Sequence, residues 1–286
     1  MIDVQKIRLD SYLANERKDI SKSQINKFIK SGTVKVNGSV STKAGLKINP
    51  SQDSIEYDFL IEANPKHKKL QIHTIYEDDN VIVIDKPIGV LSHKKGAINE
   101  EDTVAEWALP RLNFDTFNNR TGIVHRLDRA TSGVMIIAKN EISSKYIQKQ
   151  FASRNVKKTY IAVVEGKLQT KHALIDMAIG RNPKKPQFFM ISANGKSART
   201  EYEVIKESKN YSMLELKPLT GRTHQLRVHL KSLGHPILGD NFYGNKSLDR
   251  LYLHAFRLEI TLPTKERKIF EAPLPTLFDK IINDDI

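Results

Sequence analysis

Apolar positions recur in two different rhythms along this chain, and the texture changes near residue 64. In the first stretch Leu9, Tyr12 and Leu13 lie a helical turn apart, and Ile25, Phe28 and Ile29 repeat that spacing. Each set falls on one face of a helix, so helices are expected over residues 8–15 and from Ser21 to the stop at Gly32. Ser21 and Gln24 have the spacing of a capping box. Residues 33–36 then alternate polar and apolar, and Asn37-Gly38 is a strong signal for a type I′ hairpin turn. Lys22, Lys27 and Lys30 fall on the side of the second helix away from its apolar stripe.

Beyond a short basic segment, NPKHKK at 64–69, strand-like apolar runs occur at 81–84, 134–138 and 159–164. A helix is expected over 141–152, capped by Asn140, with Ile142, Tyr146 and Phe151 inward. Another is expected over 225–233, with Thr223 as cap, Leu226, Leu230 and Leu233 as its stripe, and Gly234 as its stop. Strand-like and helical runs do not alternate regularly. That favours an α+β fold with a mixed or antiparallel sheet over a doubly wound one. The expected plan is a small α/β unit at 1–63, a linker at 64–69 and a larger unit at 70–286. A length of 286 residues suits two domains at roughly 150 residues each.

Charge adds the first functional hint. Lys and Arg number 46 against 33 Asp and Glu, a net charge of +13. Such an excess attracts polyanions, and nucleic acid is the usual one; a generally lysine-rich composition is the plainer account. With 39% hydrophobic residues, a folded core is expected rather than disorder. The absence of cysteine excludes a disulfide scaffold, thiolate zinc, iron–sulfur clusters and cysteine catalysis, and fits a reducing compartment. The opening residues carry charges where a signal peptide needs an apolar run. The longest aliphatic runs are too short to span a bilayer. A soluble, cytoplasmic protein with no membrane partner is expected.

The densest polar cluster is 123–133, between two apolar stretches, and reads as strand–loop–strand. By spacing alone, a charged surface turn explains it best. His125-Arg-Leu-Asp128 superficially resembles a kinase catalytic loop, but there the Asp follows the Arg directly, and no glycine-rich loop or DFG is present. No Walker A sequence occurs. His224 and His229 are five apart, which aligns ligands poorly on a helix, and with His235 they form no HExxH, so no metal site is expected. Ser132 has no nucleophile elbow around it.

Two resemblances go further. Residues 8–40, closing on Gly32-Thr-Val-Lys-Val-Asn-Gly38, resemble the S4 RNA-binding domain. Lys22 stands where that family often has Arg, which keeps the charge without the bidentate fork. HRLDRATSG at 125–133 resembles the HRLDRxTSG motif of the RluA family of RNA pseudouridine synthases. Other stretches match in the family's order, at 84–90 (IDKPIGV) before this motif and at 158–166 (KTYIAVVEG), 218–229 (PLTGRTHQLRVH), 234–240 (GHPILGD) and 252–255 (YLHA) after it. Ala130 departs from the acidic residue common there.

The resemblance implies isomerisation of uridine to pseudouridine in RNA, with no metal and no cofactor, because nothing is oxidised and no group leaves. Asp128 matches the family's catalytic Asp. Arg227 matches the Arg that pairs with it, and such a neighbour favours the ionised carboxylate. Tyr160 matches the Tyr against which the base stacks, and Arg126 the Arg that fills the space of the flipped nucleotide. Arg222 could contact phosphate, as could Lys22, Lys27 and Lys30 of the S4-like unit. His125, Thr131, Ser132, Gly133, Lys86-Pro87 and His254 are expected to shape structure rather than react. The partner implied is large-subunit ribosomal RNA, with tRNA as the alternative and a monomer as the expected state. A non-catalytic RNA-binding or ribosome-assembly protein on the same fold is the reading from another class; Asp128, Arg227 and Tyr160 together argue against it. A metal-dependent RNA hydrolase is disfavoured by the ligand spacing.

Overall fold

The computed structural model describes residues 6–17, 20, 22–57, 70–94, 101–115, 118 and 120–283. Ser21, the Gln24 side chain and the segment 64–69 lie outside the described residues. The main division into two compact units falls between Lys69 and Leu70, and each unit is described by itself.

In the first unit the two expected helices are Leu9–Glu16 and Lys22–Lys30. Leu9, Leu13, Ile25 and Ile29 meet Val34 and Ile48 in one fully buried cluster. The strand Val34–Val36 pairs antiparallel with Ser39–Val40 on one side and Ile55–Tyr57 on the other. Asn37 and Gly38 both have positive φ, 52° and 76°, as a type I′ turn requires. The short strand Ile7–Arg8 pairs with Lys47–Ile48.

The second unit is built on a nine-stranded mixed sheet. Its strands are β1 (His73–Glu77), β2 (Val81–Lys86), β3 (Ser132–Ala138), β4 (Lys157–Glu165), β5 (His172–Asp176), β6 (Arg199–Glu207), β7 (Tyr211–Pro218), β8 (Leu253–Thr261) and β9 (Arg267–Glu271). The order is β5-β6-β7-β4-β8-β3-β2-β1, with β9 added beside β8. Every pairing is antiparallel except β8 with β3. β3 is buried along its whole length, which explains its unbroken apolar run. Val104 and Ala108 of helix Val104–Ala108 and Ile147 of helix Glu141–Ala152 pack with β2 and β3. Helices Gln225–Ser232 and Leu277–Asn283 cover β4 and β7 with Leu226, Leu230, Phe278 and Ile281.

Two expectations about helix faces are corrected. Asn140 caps Glu141–Ala152 by accepting from the Ser143 amide, as expected. Ile142, however, is 81% exposed. The buried face is Ser143, Ile147 and Gln150, because the two polar side chains find partners inside: Ser143 donates to Asn80 and Gln150 to the Thr261 carbonyl. In the second case the residue preceding Gln225–Ser232 is His224 at φ 56°, not a Thr223 cap, and Leu233 closes the helix at the surface. Gly234 follows in the left-handed region, at φ 84°.

The parallel β3–β8 contact depends on Gly133, which has φ 116°. A Cβ there would overlap the backbone of Ala255. Gly133→Ala should therefore cost about 3 kcal/mol or more. The transition of this unit in a thermal scan should fall by roughly 6–12 °C; an unshifted transition would show that the strands can separate at no cost.

Candidate active site

Asp128 sits on the loop that runs into β3, and its neighbours on both sides are fixed to the turn that follows β2. Ser92 Oγ donates to the Leu127 carbonyl at 2.9 Å and accepts the Leu127 amide at 3.2 Å. Gly89 N–H donates to the Arg129 carbonyl at 2.8 Å, and Arg129 Nε returns a bond to the Gly89 carbonyl at 3.0 Å. That turn is held in its own right by Lys86, which is fully buried and donates from Nζ to the carbonyls of Pro87 and Val90, both at 2.8 Å. Burial pushes the Lys86 pKa down to about 7, against the pull of Asp128 and Asp85. A neutral amine still has the two hydrogens these carbonyls need.

The entry to β3 is similarly built. Arg250 Nη2 and His254 Nδ1 both lie 2.9 Å from Ser132 Oγ. Arg can only donate, so the hydroxyl hydrogen goes to His254 Nδ1, and His254 Nε2–H donates to the Ala272 carbonyl at 3.2 Å. Burial, with Arg250 adding, lowers the His254 pKa to about 4 and keeps this ring neutral. His125 Nε2 accepts the Ile136 amide at 3.0 Å while its ring stacks on Phe151. These side chains are committed to the scaffold.

Facing the loop is Arg227, from the buried side of helix Gln225–Ser232. Its Nε and Nη2 donate to both oxygens of Asp240, at 2.7 and 2.6 Å. The third nitrogen, Nη1, is 3.6 Å from Asp128 Oδ2. Arg227 is 3% exposed and Asp240 1%. Burial works against the guanidinium charge, but the bonds and charge of Asp240, then Asp128, prevail and raise its pKa. His224 Nε2 lies 3.8 Å from the same Asp128 oxygen. Gln225 fixes the loop before this helix: its Oε1 accepts from Thr220 Oγ1 and the Arg222 amide, and its Nε2 donates to Arg199 O and Thr200 Oγ1.

Tyr160, on β4, completes the arrangement. Burial and the neighbouring Asp128 charge raise its hydroxyl pKa, so it stays protonated. Lys158, two residues earlier, has its pKa lowered by burial. Asp128, Arg227, Tyr160, Arg126 and Arg222 all line one cleft of about 140 Å3. Arg126, Tyr160 and Arg222 also form walls of an adjoining groove of about 930 Å3, whose lining carries eight Lys or Arg against two Glu. Arg126 is exposed at the mouth, and Arg222 Nε is held by the Ser197 carbonyl at 3.0 Å.

Lys22, Lys27 and Lys30 are all exposed, but Lys22 Nζ donates to Ser11 Oγ at 3.0 Å and stands 4.0 Å from Asp10. The three histidines weighed as metal ligands do not converge. His229 bonds Thr200 Oγ1 and the Met177 carbonyl, and His235 the Glu165 carbonyl, whereas His224 faces Asp128. Sequence reasoning gave no role to Asp240, Ser92 or Gln225. Ser92 and Asp240 act on segments 35 and 13 residues away, and Gln225 on Arg199 and Thr200 as well as on its own loop, contacts for which apolar spacing carries no signal.

Comparison with known proteins identifies the family. Residues 80–232 match the RNA pseudouridylate synthase family and residues 7–54 match the S4 domain. Ribosomal large subunit pseudouridine synthase D of Borreliella burgdorferi is 39% identical over 95% of this chain and 87% of that protein. Ribosomal large subunit pseudouridine synthase C of Vibrio parahaemolyticus is 30% identical over 98% and 93%. The solved structure of human RNA pseudouridylate synthase domain containing 1 has a TM-score of 0.60 at 30% identity, covering 72% of this chain and 85% of its own. The chain belongs to the RNA pseudouridylate synthase family, with an S4 domain at its N-terminal side. No helix among the described residues is long and apolar enough to cross a membrane.

Lys86 generates a pH-dependent prediction. The unfolded chain holds this proton up to the ordinary lysine value of 10.5, and the folded chain only to about 7. Between those values the unfolded state binds more protons, so stability rises with pH, and the contribution is flat below the folded value. In Lys86→Met that slope, at most about 1.4 kcal/mol per pH unit, should vanish. Urea unfolding of both proteins at neutral and alkaline pH checks this; parallel curves would mean that Lys86 is charged in the fold.

Proposed function

We propose that this protein converts uridine to pseudouridine in large-subunit ribosomal RNA and that Asp128 is the carboxylate on which the reaction depends. The observation that carries the reading is the charge arrangement: Asp128 faces one nitrogen of a guanidinium whose other two bonds are fixed by buried Asp240, in a cleft opening onto a basic groove. The relatives named as ribosomal large subunit synthases support the choice of RNA. In the reaction the N1–C1′ bond breaks, the uracil turns in place and a C5–C1′ bond forms. The hydrogen on C5 leaves and N1 gains one, so the product is an isomer. One ionised carboxylate suffices, because no group departs and no water attacks; glycosidases need a second for those steps.

The remaining residues take roles from their places. Tyr160 offers a neutral aromatic wall against which the base stacks. Arg126, exposed at the cleft mouth, fills the space of the extruded nucleotide, offsetting part of an unstacking cost of a few kcal/mol. Arg222 and the groove lysines follow the phosphates, and Lys22, Lys27 and Lys30 of the S4 domain add basic surface. Arg227 holds Asp128 rather than phosphate, since its donors are committed inside the fold.

Asp128→Asn should lower the single-turnover rate by at least about a hundredfold with RNA affinity nearly intact. A tenth of the normal rate in that variant would reject the assignment. Mapping pseudouridines in total RNA with and without the protein identifies the substrate; sites confined to tRNA would overturn the ribosomal reading.

Arg227→Met should reduce kcat far more than RNA affinity, and Arg227→Lys should recover only part of it, because a point charge cannot hold Asp240 and Asp128 together. If affinity and its salt dependence fell instead, with full recovery by Lys, the group would be a phosphate contact.

A further inference from the structure

His224 approaches the same carboxylate oxygen as Arg227, and the groups behind it determine which of its nitrogens carries hydrogen. His224 Nδ1 lies 2.8 Å from the Tyr243 hydroxyl. That hydroxyl already accepts the Phe189 amide at 2.9 Å. Its own hydrogen remains to be donated, and among the described residues the acceptor within reach is Nδ1. Burial raises the Tyr243 pKa, so the hydroxyl keeps that hydrogen. A neutral imidazole that accepts at Nδ1 carries its hydrogen on Nε2, and Nε2 is the atom 3.8 Å from Asp128 Oδ2.

The surroundings fix the ring in this orientation. Phe189, Tyr243 and Phe242 enclose it at centroid separations of 5.6, 5.6 and 5.7 Å. The His224 backbone has φ 56°, in the left-handed region, at the position that precedes the helix. Non-glycine residues adopt that conformation at a cost, and such residues cluster where function needs them. Phe189 comes from the small hairpin of Ile179–Arg181 with Phe189–Ile191, so a third segment takes part in aiming the ring.

We infer that His224 is a positioning residue for Asp128, set in its Nε2–H tautomer by Tyr243. This rests on Asp128 being the reactive carboxylate. Among the described residues the two basic side chains that approach Asp128 both do so at Oδ2, so His224 and Arg227 together engage one oxygen and leave Oδ1 for the substrate. The separation at Nε2, 3.8 Å, is longer than a hydrogen bond; catalytic contacts are often long and tighten only in the reacting complex.

The full-length protein labelled with 15N-histidine provides the direct test. The signal that disappears in His224→Asn identifies the residue, and the wild type should show a protonated Nε2 and an accepting Nδ1. A protonated Nδ1 overturns the inference. Kinetics give a second reading, because a glutamine amide nitrogen reaches the Nε2 position and an asparagine amide only Nδ1. His224→Gln should retain a kcat about tenfold above His224→Asn at similar RNA affinity; equal rates count against positioning. Tyr243→Phe keeps the ring packing and removes the hydrogen. It should abolish the tautomer preference and lower kcat about tenfold with KM unchanged; a lost preference with normal turnover also rejects the inference. If the Gln variant fails to fold, the wild-type spectrum and Tyr243→Phe still decide. Asp128→Asn separates the two levels: activity in that variant refutes the carboxylate assignment, whereas an inactive Asp128→Asn with the wrong His224 tautomer refutes only the role given to His224.

Discussion

A guanidinium almost wholly removed from water requires a counter-charge, and the bidentate pair of Arg227 with Asp240 meets that requirement. Buried pairs of this kind add little net stability, but removing one partner strands the other and is strongly destabilising. The pair therefore works as a fixed part. Because Asp240 neutralises the charge and sets the plane of the group, the remaining nitrogen points at Asp128 without collapsing onto it, at 3.6 Å. Asp128 is thus faced by a partner already satisfied elsewhere, which approaches the carboxylate without bridging it. On the loop side, the Gly89 amide and the Ser92 hydroxyl bond the backbone on either flank of Asp128.

Local signals in the sequence were sufficient wherever a residue's role is decided by its near neighbours. Asn37-Gly38 forms its turn because both positions accept positive φ, and Asn140 begins its helix because its side chain reaches the Ser143 amide. The same logic misplaced Ile142. Counting apolar residues cannot reveal that Ser143 and Gln150 meet acceptors 63 and 111 residues away and so take the inner face. Its spacing to His229 presents His224 only as a poorly aligned candidate metal ligand. Its actual setting depends on Tyr243, 19 residues on, and on a hairpin amide. Motif resemblance placed Asp128, Arg227, Tyr160, Arg126 and Arg222, which the fold gathers at one cleft, but it carried no information on the supports behind them.

The overall charge of +13 is unevenly expressed. Eight basic groups converge on one groove, and although Lys157, Arg199, Lys217 and Arg257 among them have acidic partners, the lining remains in basic excess; farther away Lys171 is taken up by Glu207. Lys22 in the first unit is similarly engaged with Ser11 and Asp10. A long-range positive field attracts a polyanion from a distance, and the unpaired share of that charge determines where it settles.

The place of β8 in the sheet has a consequence for how the protein is made. Asp128 leads into β3 and Tyr160 lies on β4, and in the sheet order these two strands are joined only through β8, which is the eighth of the nine to leave the ribosome. Until residues 253–261 are synthesised, the two halves of the cleft belong to separate blocks of sheet with an open edge on each. Insertion of a late strand between two early ones is a contact of long sequence separation, the kind that forms slowly. A chain ended before residue 253 can therefore hold Asp128, Arg227 and Tyr160 and still lack the strand that joins β3 to β4.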